Sequence, residues 1–267
     1  MDGYLIFTLV VRIDGDRLCL QTTGRKFFVK AYAIIPARAG SKGVPNKNIR
    51  DLAGHPLLAW SIAAATLARS IERVIVSTDS EKYAEIARQY GAEVPFLRPA
   101  ELATDTSPDK AFLLHTALWL QKNDARPPDV FIHLRPTSPL RDPAILDKAI
   151  ATFELAPQAT SLRSAHEAPE SPAKWFSLNA DGYFSGFIGN QWLDAPRQAC
   201  PRAYIPDGYV DIVRVSVLLK QQELYFPHML AFIAPPCHEV DTEEDFSYLS
   251  YEVGMGHHLL AWLNQQE

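Results

Sequence analysis

The 267-residue sequence predicts an α/β fold, a mostly parallel sheet with helices on both faces. Three observations point to it. Short apolar runs with no polar side, "AYAII", "RVIVS" and "DVFIHL", alternate with longer helical segments. Turn and cap residues separate the two kinds of segment, as at Gly91 and Ser107-Pro108. The composition, 47% hydrophobic and 21% charged, suits one sizeable domain, or a domain with a small appendage.

The elements follow in order from residue 31. "AYAII" is a strand buried on both faces, and "PLLAWSIAAATLAR" (56–69) is helical by its length and alanine content. "RVIVS" (73–77) is a strand, and "SEKYAEIARQY" (80–90) is a helix closed by Gly91. "AEVPFL" (92–97) reads as a weaker strand. "SPDKAFLLHTALWLQK" (107–122) reads as a helix with Ser107 as N-cap and Pro108 in its first turn. "DVFIHL" (129–134) is a buried strand and "DPAILDKAIATFELA" (142–156) a capped helix. The alternation then breaks. "ATSLRS" is a strand, and "WFSLNADGYFSGF" is a hairpin turning at Asn179–Gly182. "GYVDIVRV", "LAFIA" and a helix from Thr242 complete the chain, with 256–267 as a tail. Residues 165–205, rich in proline and aromatics, read as a lobe inserted over one edge.

Residues 1–30 are a separate question. "FTLVVRIDGDRLCLQTTG" reads as two strands about Asp14-Gly15. The segment is either a hairpin on the domain or translated sequence upstream of the natural start. "YLIFTLVV" makes a poor signal peptide, being short, preceded by an acid and followed by no small-residue cleavage site.

A net charge of -5 implies no general affinity for nucleic acid or anionic membrane. No apolar stretch approaches the roughly 18 residues of a membrane span. Cys19, Cys200 and Cys237 are odd in number and have no metal-binding spacing, so a reduced cytoplasm is the expectation.

In open α/β sheets, ligands bind at the carboxyl ends of strands. The first such loop is "PARAGSKGVPNKN" (36–48). Gly40 and Gly43 free its amides, and Arg38, Lys42 and Lys47 add three cations, a combination suited to phosphate. A solvated basic loop is the plain alternative, and the spacing is not that of a Walker loop. In "HEVDTEEDF" (238–246), Glu239 and Asp241 share one face of an extended segment and suit a hard cation such as magnesium. Thr242 with Asp245 fits a helix capping box, which leaves Glu239 and Asp241 unexplained. Arg135, in "HLRPTSPLR", falls in the cleft, either as a ligand contact or as a structural ion pair. Arg98, Ser107 and Asp109 either line the cleft or belong to a helix start and a solvated loop. Arg197 and Arg202 lie in the lobe and suit a carboxylate or phosphate, though surface arginines are common.

Together the stretches "IIPARAGSKGVPNKNI", "VIVSTDS", "FLRPAELATDTS", "PTSPLR", "PRQ" and "VDTEEDF" resemble the CMP-sialic acid synthetase (acylneuraminate cytidylyltransferase) family, in the family's order and over about residues 31–255. The resemblance implies a Rossmann-like nucleotidyltransferase sheet with a small dimerisation lobe, a homodimer, and transfer of CMP from CTP to a nonulosonic acid. It implies that Arg38, Ser41, Lys42, Lys47 and Asn48 contact the CTP phosphates and ribose, and that Arg98, Ser107 and Asp109 read cytosine and ribose. It places Arg197 in the active site, a divalent cation on Glu239 and Asp241, and Tyr225 and Phe226 against the sugar across the dimer. Lys47 then neutralises the triphosphate, and Asp241 helps to deprotonate the attacking hydroxyl.

Three departures bear on the sugar. The family usually has Gln where this chain has Arg135, Asp where it has Glu239, and an aromatic residue where it has Asp211. An Arg135–Asp211 ion pair in the sugar site is the resulting expectation, with selectivity moved away from N-acetylneuraminate. A CMP-Kdo-type synthetase and a non-catalytic nucleotide-binding relative are the alternatives.

Overall fold

The structure is a computed structural model describing residues 10–14, 17–21, 29–41, 44–225 and 227–266. Lys42, Gly43, Phe226 and the turn expected at Gly15 lie outside the described residues. Strands β1 (Val10–Asp14) and β2 (Arg17–Gln21) pair antiparallel, with Asp14 opposite Arg17.

The main sheet begins with β3 (Ala31–Pro36), whose first five residues are buried as its apolar run dictates. Two-residue strands β4 (Asp51–Leu52) and β5 (His55–Pro56) lead into α1 (Leu57–Leu67). Nine consecutive residues of α1 are buried, so this helix is enclosed all round, as its Ala-rich sequence permits. Strand β6 (Arg73–Ser77) and α2 (Glu81–Gln89) follow. The Ser80 hydroxyl accepts the Tyr83 amide at the start of α2, and Gly91 has φ +80 just beyond its end.

Residues 92–97 do not form the expected strand. Only a bridge between Ile75 and Glu93 survives, because Pro95 lacks an amide to extend the ladder. Helix α3 (Asp109–Asn123) has Pro108, not Ser107, at its N-cap position, and no side chain caps it. The Ser107 hydroxyl is engaged upstream, accepting from the Thr104 amide at 3.1 Å and donating to the Glu101 carbonyl.

Strand β7 (Val130–His133) is wholly buried, and α4 (Pro143–Glu154) is capped by Asp142. Then come β8 (Ser161–Glu167), the hairpin β9 (Phe176–Leu178) and β10 (Phe184–Gly186), and β11 (Tyr204–Arg214). The chain continues through α5 (Val215–Gln221), a short helix that the sequence reading missed, to β12 (Met229–Ile233) and α6 (Glu243–Gly254). Residues 256–267, expected as a tail, carry α7 (Leu260–Leu263). Its Leu263 and the preceding Leu259 are fully buried in the core that contains α1.

The six-stranded sheet runs β12-β8-β11-β7-β3-β6. All neighbours are parallel except where β11 lies antiparallel between β7 and β8. One apolar core joins the sheet to α1, α2, α4, α6 and α7. A second joins it to α3 and α5 on the opposite face. Because β11 runs backwards, its entry, and not its exit, lies beside the carboxyl end of β7. Asp211 therefore faces His133 in register. Just before it, the β11–β8 register shifts between Pro206 and Asp211, with Gly208 at φ +62.

Candidate active site

At the carboxyl ends of β3, β6 and β7 lies a cavity of about 350 Å³. It brings together Arg38, Ser41, Lys47, Asn48, Arg98, Ser107, Asp109, Arg135 and Asp241 from loops far apart in sequence. Every expected nucleotide-contacting residue among those described is in its lining. Asp211 and Tyr225 stand behind Arg135, joined to it by hydrogen bonds. Arg197 is elsewhere: it is exposed in the lobe and donates to the Pro169 carbonyl.

The loop after β3 is fixed by its own polar groups. Ala39 donates its amide to Asp79 at 2.9 Å, and the buried Asn48 donates to the Arg38 carbonyl at 3.0 Å. Arg38 pairs with Asp105 at 2.8 Å across the cavity mouth. Lys47 reaches the opposite wall, donating to the Val240 carbonyl at 2.7 Å and to Asp241 at 3.1 Å. Arg98 is almost fully buried. It donates to the hydroxyl and carbonyl of Ser77 and lies 4.6 Å over the Phe112 ring. Burial pulls its pKa down to about 10, so it remains a cation at neutral pH.

Arg135 carries two acids. Its Nη1 donates to Asp211 at 2.9 Å and its Nη2 to Asp109 at 2.6 Å. Burial opposes the charged guanidinium, but Asp211 and Asp109 outweigh it and raise its pKa. Burial likewise works against the Asp109 carboxylate, yet His133, which is protonated only at the acid pH where Asp109 titrates, and Arg135 hold its pKa below the usual range. Asp211 is itself buried and also accepts from the Tyr225 hydroxyl at 3.1 Å. Beneath it His133, fully buried, is driven down to about 4 by burial, so it is a neutral ring.

The acidic segment forms the other wall. Thr242 and Asp245 make a complete capping box at the start of α6, which accounts for those two residues. Glu239 and Asp241 precede it. Glu239 accepts from the Ser138 hydroxyl at 3.3 Å, while Asp241 is exposed beside Lys47. Burial, reinforced by the Asp241 charge, raises the Glu239 pKa. Two carboxylates are hard oxygen donors of the kind a divalent cation takes. Among the described residues no third acid, His or Cys joins them, so phosphate and water oxygens would complete the shell, as magnesium favours.

Sequence reasoning missed four supports of this cleft. Fully buried Arg141 donates to the carbonyls of Arg135, Gly208 and Tyr209 and to the Ser61 hydroxyl. Gly208 backs Glu239, and Ser138 hydrogen-bonds it. Arg141 and Ser138 sit inside the quoted "PTSPLR", which was the available signal, and His133 had none.

A family model described as cytidylyltransferase matches residues 32–176. The chain is 46% identical over 126 residues to the CMP-N,N'-diacetyllegionaminic acid synthase of Legionella pneumophila, covering 46% of this chain and 52% of that protein. It is 44% identical over 219 residues to an N-acylneuraminate cytidylyltransferase of Escherichia coli, covering 82% and 50%. With the pseudaminic acid cytidylyltransferase of Campylobacter jejuni the identity is 30%, over 84% of this chain and 97% of that one. The chain thus spans about half the length of the first two relatives and nearly all of the third. A CMP:2-keto-3-deoxy-manno-octonic acid synthetase solved with CTP shares the fold, with TM-score 0.64 and 17% identity over 85% of this chain and 99% of that one. On the family match, the relatives and the fold, this chain belongs to the cytidylyltransferase family.

Proposed function

We propose that the protein transfers CMP from CTP to the anomeric hydroxyl of a sialic acid-like nonulosonic acid, giving a CMP-sugar and pyrophosphate. The observation that carries this reading is the cavity itself. A chain of net charge -5 concentrates Arg38, Lys47, Arg98 and Arg135 in one cleft, with Asp241 at its rim. Three of the relatives it resembles are named for this activity on legionaminic, neuraminic and pseudaminic acids.

In the proposed mechanism Arg38, Ser41, Lys42, Lys47 and Asn48 hold the triphosphate and ribose, while Arg98, Ser107 and Asp109 form the wall for ribose and cytosine. The anomeric oxygen bonds to the α-phosphorus as the bond to the β-phosphate breaks. Asp241 takes the hydroxyl proton, and Lys47 neutralises charge moving onto the pyrophosphate. Glu239 and Asp241 would hold a divalent cation, which supplies charge neutralisation and a lowered hydroxyl pKa when bound. Arg135, Asp211, Tyr225 and Phe226 form the sugar side, and the Arg135–Asp211 pair shifts selectivity away from N-acetylneuraminate. A second copy of the chain covers the lobe and brings Arg197 to the site. No helix among the described residues is long and apolar enough to cross a membrane; a cytoplasmic location is part of the same proposal.

The test is pyrophosphate release from CTP with N-acetylneuraminate, legionaminate, pseudaminate and Kdo, with and without magnesium. Magnesium-dependent release with a nine-carbon acid other than N-acetylneuraminate is expected. Preference for Kdo would make it a CMP-Kdo-type enzyme, and no release with any acid would leave a non-catalytic relative. Best activity on N-acetylneuraminate, unchanged in Arg135→Gln, would remove the selectivity role of Arg135.

A further inference from the structure

We infer that Arg163, on β8, binds the carboxylate of the acid substrate. The inference rests on the proposed activity and names a residue outside the cavity lining described above. Arg163, Asp211 and His133 lie in register across β8, β11 and β7. Paired residues of adjacent strands project to the same face, so the three side chains form one row at the sugar end of the cleft.

Arg135 is the cavity-lining cation that touches this row, through Asp211, but it does not suit a further carboxylate. Both arms of its fork are occupied, one by Asp211 and one by Asp109. Arg163 is different. Its Nε lies 3.6 Å from Asp211 Oδ1, and its side chain is 34% exposed. Its guanidinium carbon lies 4.6 Å over the Tyr225 ring, and that ring is pinned by the bond from its hydroxyl to Asp211. Stacking fixes the guanidinium plane while leaving its in-plane edge open. Among the described residues the Arg163 guanidinium has no hydrogen-bond partner, and Asp211 Oδ1 has none either. A guanidinium held in this way presents two parallel donors to a carboxylate.

Charge points the same way. The row and its neighbours hold two guanidinium groups, Arg135 and Arg163, against two carboxylates, Asp109 and Asp211, with His133 neutral. An incoming carboxylate therefore meets no net negative charge, and it meets one cation with donors to spare. Asp211 then has two tasks: it saturates Arg135 and orients Arg163.

The experiment compares wild type, Arg163→Met and Arg163→Lys on the acid that wild type turns over fastest, and on that acid's methyl ester. For Arg163→Met, KM for the acid should rise about 10- to 100-fold, the loss of a bidentate charged contact. KM for CTP should stay within about twofold, since the nucleotide cavity is untouched. Arg163→Lys should recover part of the loss. The ester should be a much poorer substrate than the acid for wild type, but about equal to it for Arg163→Met. An unchanged KM for the acid in Arg163→Met, or an ester as good as the acid for wild type, would overturn the inference while leaving the activity intact. CTP binding by calorimetry without turnover of any acid would instead overturn the proposed activity, and this inference with it.

Discussion

Arg135 is the residue on which the two halves of the cleft meet, and its energetics follow from burial. Asp211 is 1% exposed, so removing its main cationic partner leaves a buried carboxylate under-compensated. Arg135→Gln should cost about 3 kcal/mol and lower Tm by roughly 6–12 °C. Arg135→Gln combined with Asp211→Asn should cost much less than the sum of the single changes, because the stranded charge is gone. Thermal melts of the three variants check this, and strict additivity would show that the pair is not energetically coupled. Asp109, the other partner, gives a pH dependence of defined sign. Its folded pKa lies below the unfolded value near 3.8. The stabilisation is therefore present above the unfolded value and is lost as pH falls through the folded one. The site is partly exposed, so the effect is modest. Asp109→Asn should lower Tm by about 2–4 °C at pH 7, roughly 1 kcal/mol in a chain of this size. The gap between wild type and variant should close as pH drops below about 4. A gap independent of pH would mean that Asp109 acts through shape and not charge.

The turn entering β11 is the element that sets the metal-side wall. Arg141 has no acid partner among the described residues in its fully buried site. Burial pulls its pKa down to about 10, and it stays charged by donating to oxygens of Ser61, Arg135, Gly208 and Tyr209. One side chain thereby ties α1, the loop after β7 and the β11 turn into a unit. Gly208 completes it: at φ +62 it occupies the left-handed region, and a Cβ there would run into Glu239 Oε1. Gly208→Ala should therefore move Glu239 and weaken manganese binding in the presence of CTP about 10-fold, read by electron paramagnetic resonance. Unchanged manganese affinity would mean that Glu239 does not depend on this turn. Little of this was legible in the sequence, although the flanking strands and helices were. Strands β3, β6 and β7 announce themselves because burial on both faces demands continuous apolar residues. Arg141 does not, because Ser61, Gly208 and Tyr209, which accept from it, lie far away in sequence, and neither does His133, whose ring nitrogens have no hydrogen-bond partner among the described residues. Local punctuation misled in two places. Ser107 precedes Pro108 as a cap would but turns back to Thr104, and Pro95 halts a ladder that "AEVPFL" suggested. The basic loop and the acidic pair were legible because each concentrates its chemistry within a dozen residues.

At the scale of the whole molecule the lobe is the unresolved demand of this fold. Tyr183 is 73% exposed and Phe184 70%, and Phe176 and Phe187 stand exposed beside them. Phe176 and Phe184 stack on each other across β9 and β10 at 5.3 Å, yet both remain more than half exposed. A clustered aromatic patch of this kind on a chain of ordinary composition calls for a partner surface. A second copy is the partner that would also explain why Arg197, the one proposed catalytic residue outside the cavity, sits in the same lobe. Phe176→Ser with Phe184→Ser should halve the mass measured by light scattering, and activity should fall with it. Mixing two inactive variants tests the geometry directly. Arg197→Ala and Lys47→Ala are each expected to be inactive alone and, if the protein is a homodimer, to exchange subunits on incubation. If each cleft uses Lys47 of its own chain and Arg197 of the other, one of the two sites in a mixed dimer has both residues intact. An equal mixture then regains roughly a quarter of wild-type activity, from random pairing in a two-fold dimer. If Arg197 serves its own chain, every site in the mixture lacks one of the two groups and no activity returns, even though subunits exchange.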